Sequence, residues 1–140
     1  MWSYFEFKRL SRPDGALMIS IDPLLKKKFD RDHYHCVHFT VDAGKHLFNY
    51  DFSHCFIGLT GSLNGPLNLS RTNFEQAEQI ERPKLGSIVL MLTLDNKHHV
   101  GIYYDNRVLH LSETGPRFET LRSIKRQYKN LRYYHVKDFQ

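Results

Sequence analysis

The chain has little cysteine and no long apolar run, and each shortage closes off a class of protein. Its 140 residues hold two cysteines, too few for a disulfide framework or a four-cysteine zinc site. No stretch of about 18 apolar residues occurs, so no helical membrane span is expected. Repeats of about 20–50 residues and low-complexity tracts are also missing, which sets aside solenoids, propellers and fibrous arrays. The opening stretch, MWSYFEFKRLSRPDG, carries charge where a secretory signal needs an apolar core. The expectation is a product synthesised in the cytoplasm without a signal peptide.

What is present describes one ordinary domain, expected to occupy residues 1–140. The chain is 41% hydrophobic and 25% charged, and its mean hydropathy of −0.52 belongs to a soluble globular protein. A domain of this length buries roughly two-thirds of its unfolded surface and needs no staple. The net charge of +5 favours an anionic partner: nucleic acid, anionic lipid or a charged polymer such as cell wall.

Along the chain, residues 1–12 alternate loosely and suggest an edge strand. Residues 22–29 suggest a short helix, with Asp22 as N-cap, Pro23 at its first position and the lysines 26–28 on a solvated face. The apolar positions of residues 36–48 fit helix and strand equally. Residues 58–70, with three glycines, two asparagines and a proline, read as a surface loop. Thr72 or Asn73 followed by FEQAEQIE reads as a capped short helix ended by Pro83. The second half predicts strands over 87–95, 98–104 and 107–111, a short basic helix over 121–128 and a last strand over 131–136. Helices first and an antiparallel meander after make an α+β order, with N-terminal helices packed on a central antiparallel sheet.

Two cysteines and nine histidines pose the question of chemistry. A cysteine nucleophile requires a thiolate, a base to take its proton and a third group to orient that base. Cys36 falls at the start of the 36–48 segment; if that segment is a helix, free backbone N–H groups favour the thiolate. Cys55, in the apolar run SHCFIGL, reads as a packed, inert thiol. His99 and His110 lie on consecutive predicted strands. In the register that sets Tyr103 against Asn106 they are directly opposed, with Cβ atoms about 4.5–5.5 Å apart.

HVGIYYDNRVLH (99–110), preceded by RPKLGSIVLM (82–91), resembles the central signature of the NlpC-type, papain-like cell-wall cysteine peptidases. HYHCVHF resembles the family's Cys-x-x-Phe helix start, and RFETLRSIKRQYKNLRYYHVK the closing strand–helix–strand of its phage tail-assembly branch. The likeness runs from about residue 20 to residue 137. It implies a papain-like fold, Cys36 as nucleophile, His99 as general base and acid, and His110 as the orienting third group. It further implies hydrolysis of peptidoglycan stem-peptide amides of the D-glutamyl–diaminopimelate type, no cofactor, and a virion tail acting at the host cell wall beside other tail proteins. The sequence departs from the pattern at Phe29, where the family has tyrosine, and at Asp32-His33-Tyr34-His35, where it has glycines and an aspartate. Tyr34 and His35 are the substitutes expected to bind substrate. Ser87 stands where the family has aspartate, a change that bears on a turn.

Other chemistries compete. His33, His35 and His38 cluster around Cys36, and His38, Asp42 and His46 share one face of a helix, although no strong zinc spacing results. Lys125-Arg126-Gln127-Tyr128 and Arg132-Tyr133-Tyr134 mix bases and aromatics as single-strand binders do, yet form no RNA motif, so nucleic acid is not an expected partner. A catalytically silent tail-assembly protein that retains the fold is the remaining alternative.

Overall fold

The computed structural model describes residues 10–11, 17–56 and 77–136. At its start β1 (Leu10–Ser11) and β2 (Leu17–Met18) form a short antiparallel ribbon. Residues 1–9 and 12 of the expected edge strand, and the expected loop over 58–70, lie outside the described residues. The helix expected near Asp22 is a single 3-10 turn, Leu24–Lys26, and its N-cap is Pro23 with no side-chain cap. Leu24 is its only buried residue, so no apolar stripe holds further turns and the chain extends at Lys27.

Residues 36–48, ambiguous by periodicity, are helical: α1 spans Cys36–Phe48. Its start is capped by histidines in place of the usual hydroxyl and carboxylate. Val37 N–H donates to His35 Nδ1 at 3.3 Å, and His35 N–H donates to His38 Nδ1 at 3.1 Å. Asn49 closes the helix in the left-handed region, φ 52°. A 3-10 segment, Phe52–Phe56, crosses the last turns of α1 at Gly44, where a Cβ would lie 2.3 Å from the Phe52 ring.

The rest of the chain builds β3 (Ala77–Ile80), β4 (Ile88–Thr93), β5 (His98–Tyr104), β6 (Arg107–Ser112), β7 (Gly115–Thr120), α2 (Leu121–Gln127) and β8 (Tyr128–Val136). The sheet order is β3-β8-β4-β5-β6-β7, and every pairing is antiparallel. Among the described residues two α-helices and a six-stranded antiparallel sheet make the architecture α+β. Among the described residues no helix is long and apolar enough to cross a membrane.

Two expectations are corrected here. Ala77–Ile80, the described part of the helix expected after Thr72, is a strand paired with Tyr133–Val136. Backbone pairing with a neighbouring strand satisfies groups that so short a helix leaves open at both ends. The hairpin register also differs. Asp105 and Asn106 both adopt positive φ, 51° and 62°, the two-residue turn whose twist matches its strands. That turn sets Tyr104 against Arg107, and therefore Gly101, not His99, against His110.

Strand alternation divides the buried side chains between two faces. Ile88, Leu90, Val100, Ile102, Leu109 and Leu111 join the core beneath α1. Val89, Met91, Val108 and Tyr133 pack on the other face with Ile124 of α2.

Candidate active site

Cys36 is the first residue of α1 and only 2% exposed, held against β5. Burial pushes its thiol up to about 11, against the pull of the Val100, Val37 and Cys36 backbone N–H groups towards thiolate. The helix start acts in the expected direction, but desolvation is larger and the resting group is a thiol. Cys55 is also buried, among the core residues under α1.

The histidines meet by a diagonal contact. Gly101, directly opposite His110, has no side chain; a Cβ there would lie 2.9 Å from His110 Cβ. Into that gap His99, two residues back on the same face, brings its Nε2 to 2.8 Å from His110 Nδ1. A second diagonal continues the line: His110 Nε2 lies 2.9 Å from Glu119 Oε2, on β7. The chain His99–His110–Glu119 thus crosses three strands. Tyr128, at the head of β8, stacks on His99 with ring centroids 5.1 Å apart and planes 4° from parallel.

Glu119 is saturated with donors. Gln127 Nε2 at 2.7 Å and Ser123 Oγ at 2.8 Å donate to Oε1, and Arg117 Nε donates to Oε2 at 3.1 Å. Burial would raise this carboxyl, but hydrogen bonds from Gln127, His110 and Ser123 outweigh it and hold the group near 2. Burial, reinforced by the neighbouring His110, drives His99 down to about 3. His110 is lowered as well, by burial, against the pull of Glu119. At neutral pH the site is therefore a thiol, two neutral imidazoles and one carboxylate.

Cys36 and His99 border one open cleft of about 850 Å³, whose walls also carry Phe29, Arg31, Arg117 and Tyr128. Cys36 reaches it from the side of α1 and His99 from the side of α2; among the described residues no hydrogen bond joins the two. Phe29, where the family pattern has tyrosine, faces this cleft.

Tyr34 and His35 do not line it. Tyr34 donates its hydroxyl to Asp42 Oδ2 at 2.6 Å, and His35 is fully buried as the α1 cap. Both side chains hold the approach to the helix, Tyr34 through Asp42 and His35 through the Val37 N–H. The histidines weighed as metal ligands are dispersed in the same way: His38 on the cap, His46 on Ser20 O at 2.7 Å. Among the described residues no group of three or more His, Cys, Asp or Glu is arranged to hold a metal. Ser87 closes a turn, its Oγ accepting from Lys84 N–H at 2.8 Å and its own N–H donating to Lys84 O at 2.8 Å.

Glu119 is the residue that sequence reasoning missed. Its signal was Ser123 and Gln127, four residues apart on α2, which turn hydrogen-bonding groups back towards Glu119 at the end of β7. No protein-family model matches the chain, and no curated protein matches it.

Proposed function

We propose that the chain is a cysteine hydrolase of the NlpC type with a papain-like fold, cleaving amide bonds of peptidoglycan stem peptides through an acyl-enzyme at Cys36. One observation carries this reading: His99, hydrogen-bonded to His110 behind it, borders a single cleft with a helix-start cysteine. The net charge of +5 suits an anionic wall. The resemblance of the tail to the phage tail-assembly branch extends the proposal to a virion-tail protein meeting the host wall among other tail proteins.

In the reaction, Sγ of Cys36 attacks the scissile carbonyl carbon as its proton passes to His99. The C–N bond then breaks, and His99 returns the proton to the departing amine. Water, deprotonated by His99, attacks the thioester; the acid leaves and the thiol is restored. His99 is neutral above about pH 3, so it can accept a proton throughout the neutral range. Because the thiol rests protonated, proton transfer accompanies attack instead of preceding it. The backbone N–H of Cys36 at the helix start is suited to the developing oxyanion.

The test is release of new amines and carboxylates from purified stem peptide, with Cys36→Ala and Cys55→Ala in parallel. Cleavage lost only in Cys36→Ala is the expected result; cleavage that survives it overturns the reading. A second reading, a silent tail-assembly protein, draws on the buried thiol raised to about 11. It predicts that iodoacetamide leaves Cys36 unmodified at pH 7–8 and that no wall fragment is released.

A further inference from the structure

We infer that Glu119 is a positioning residue: from β7 it dictates which nitrogen of each histidine carries the proton, and so leaves Nδ1 of His99 as the open acceptor. The inference rests on the hydrolase reading above for its purpose, but its geometry stands apart from it.

A carboxylate can only accept hydrogen bonds, and a neutral imidazole has one N–H and one lone pair. Oε2 of Glu119 faces His110 Nε2 at 2.9 Å, so that nitrogen carries the hydrogen. His110 Nδ1 is then a lone pair, and across 2.8 Å it must accept from Nε2–H of His99. His99 has spent its hydrogen, and its Nδ1 is the base. One carboxylate thus sets the proton order of two rings on two other strands. The carboxylate is itself fixed: Arg117, Ser123 and Gln127 hold it from β7 and α2, and none leaves it a second orientation without losing a bond. The charged and titratable groups facing the ring pair are Glu119 and Arg117 on β7 and Tyr128 on β8. When His99 takes the thiol proton, the Glu119 charge lies behind the new cation at the far end of His110 and stabilises it.

Two substitutions separate acceptance from charge. In Glu119→Gln the amide oxygen must face Arg117, which can only donate. His110 therefore keeps an acceptor and its Nε2–H, while Ser123 and the Gln127 amide can turn to accept from the new NH2. Glu119→Ala removes the acceptor and frees the proton order.

The experiment is long-range proton–nitrogen NMR of the full chain labelled with ¹⁵N-histidine at pH 7, with kcat and KM for stem-peptide cleavage measured over pH. Both rings are expected as Nε2–H tautomers in the wild type and in Glu119→Gln, and as mixtures in Glu119→Ala. Expected losses in kcat are about 10-fold for the glutamine and about 100-fold or more for the alanine, with KM little changed. Nδ1–H on His110 in the wild-type protein overturns the inference with no variant needed, and so does an alanine variant whose tautomers and kcat match the wild type. If the wild type shows the expected tautomers but cleaves nothing, the hydrolase reading falls and the proton order set by Glu119 stands.

Discussion

The two halves of the site are built by opposite means. Cys36 is placed by local chemistry, one residue past a histidine cap, and is dry: 2% exposed, its thiol raised by burial. His99, His110 and Glu119 are placed by long-range register across β5, β6 and β7; the histidines are buried as well, but each link in the chain is a hydrogen bond between polar groups. In the polar half, donated hydrogen bonds hold Glu119 ionised while burial keeps both imidazoles neutral, whereas the thiol half has only backbone N–H groups to oppose desolvation. Pre-organisation is concentrated on the base, and the nucleophile is left to be activated by proton transfer.

The sharpest way to break this contrast is to exchange the two thiols' fates. Cys36→Ala is expected to reduce stem-peptide hydrolysis by at least about 1,000-fold, while Cys55→Ala leaves it within about 2-fold, since Cys55 packs in the core under α1. Both remove one buried sulfur, so their costs in stability should be similar, on the order of 1–2 kcal/mol. Parallel denaturant titrations check that the activity difference is not a difference in folding.

The second test reads the halves through pH. His99 falls from an ordinary 6.5 to about 3, and Glu119 from 4.5 to about 2. In both windows the unfolded chain binds more protons than the native one, so stability is lost as pH falls from 6.5 towards 2. Cys36 rises from 9 to about 11; there the unfolded chain binds fewer protons, so stability falls as pH rises from 9 to 11. Greatest stability is therefore expected between about pH 6.5 and 9, with an acid loss on the order of a few kcal/mol. Chemical denaturation across pH 3–10.5 checks it. Cys36→Ala should flatten the alkaline limb alone, and Tyr34, raised by burial and by Asp42, should keep part of it.

Third, Gly101→Ala attacks the register that joins the rings. Its new Cβ would meet His110 Cβ, Leu109 O and Val108 Cγ1 at 2.9 Å each, two of them on groups that cannot swing away. A cost of about 1–3 kcal/mol is expected from overpacking, with loss of the His99–His110 bond and therefore of hydrolysis. Thermal denaturation, with NMR of both rings, separates the two effects.

How legible these halves were in the sequence follows from how each is built. The strand HHVGIYY, the Asp105-Asn106 turn and the basic helix after Leu121 were readable because propensity and turn chemistry act within a few residues. Cys36 was readable as the first residue of its segment, while periodicity left that segment open between helix and strand. The register was not readable: the turn length decides it, and pairing Tyr104 with Arg107 moved His99 two positions from direct opposition. The shared face survived that shift because two is the period of a strand. AEQI was misread because a helical pattern yielded to pairing with β8. Tyr34 and His35 were read from position alone, and their partners, Asp42 and the α1 backbone, were not legible because they depend on how the chain enters the helix.

The smallest expected effect tests whether the ring pair is steadied from outside its own strands. Tyr128 begins β8 and lies flat on His99, and its hydroxyl takes no part in the His99–His110–Glu119 chain. Tyr128→Phe keeps the ring and should leave stability and hydrolysis within about 2-fold, the worth of a group outside the chain. Tyr128→Leu removes the stack, worth about 0.5–1.5 kcal/mol beyond area, and lets His99 turn about its side chain. The expected result is a loss of a few fold in kcat with KM nearly unchanged, measured beside the wild type at one pH. Equal losses in both variants would assign the effect to the hydroxyl and remove stacking from the account of how the base is held.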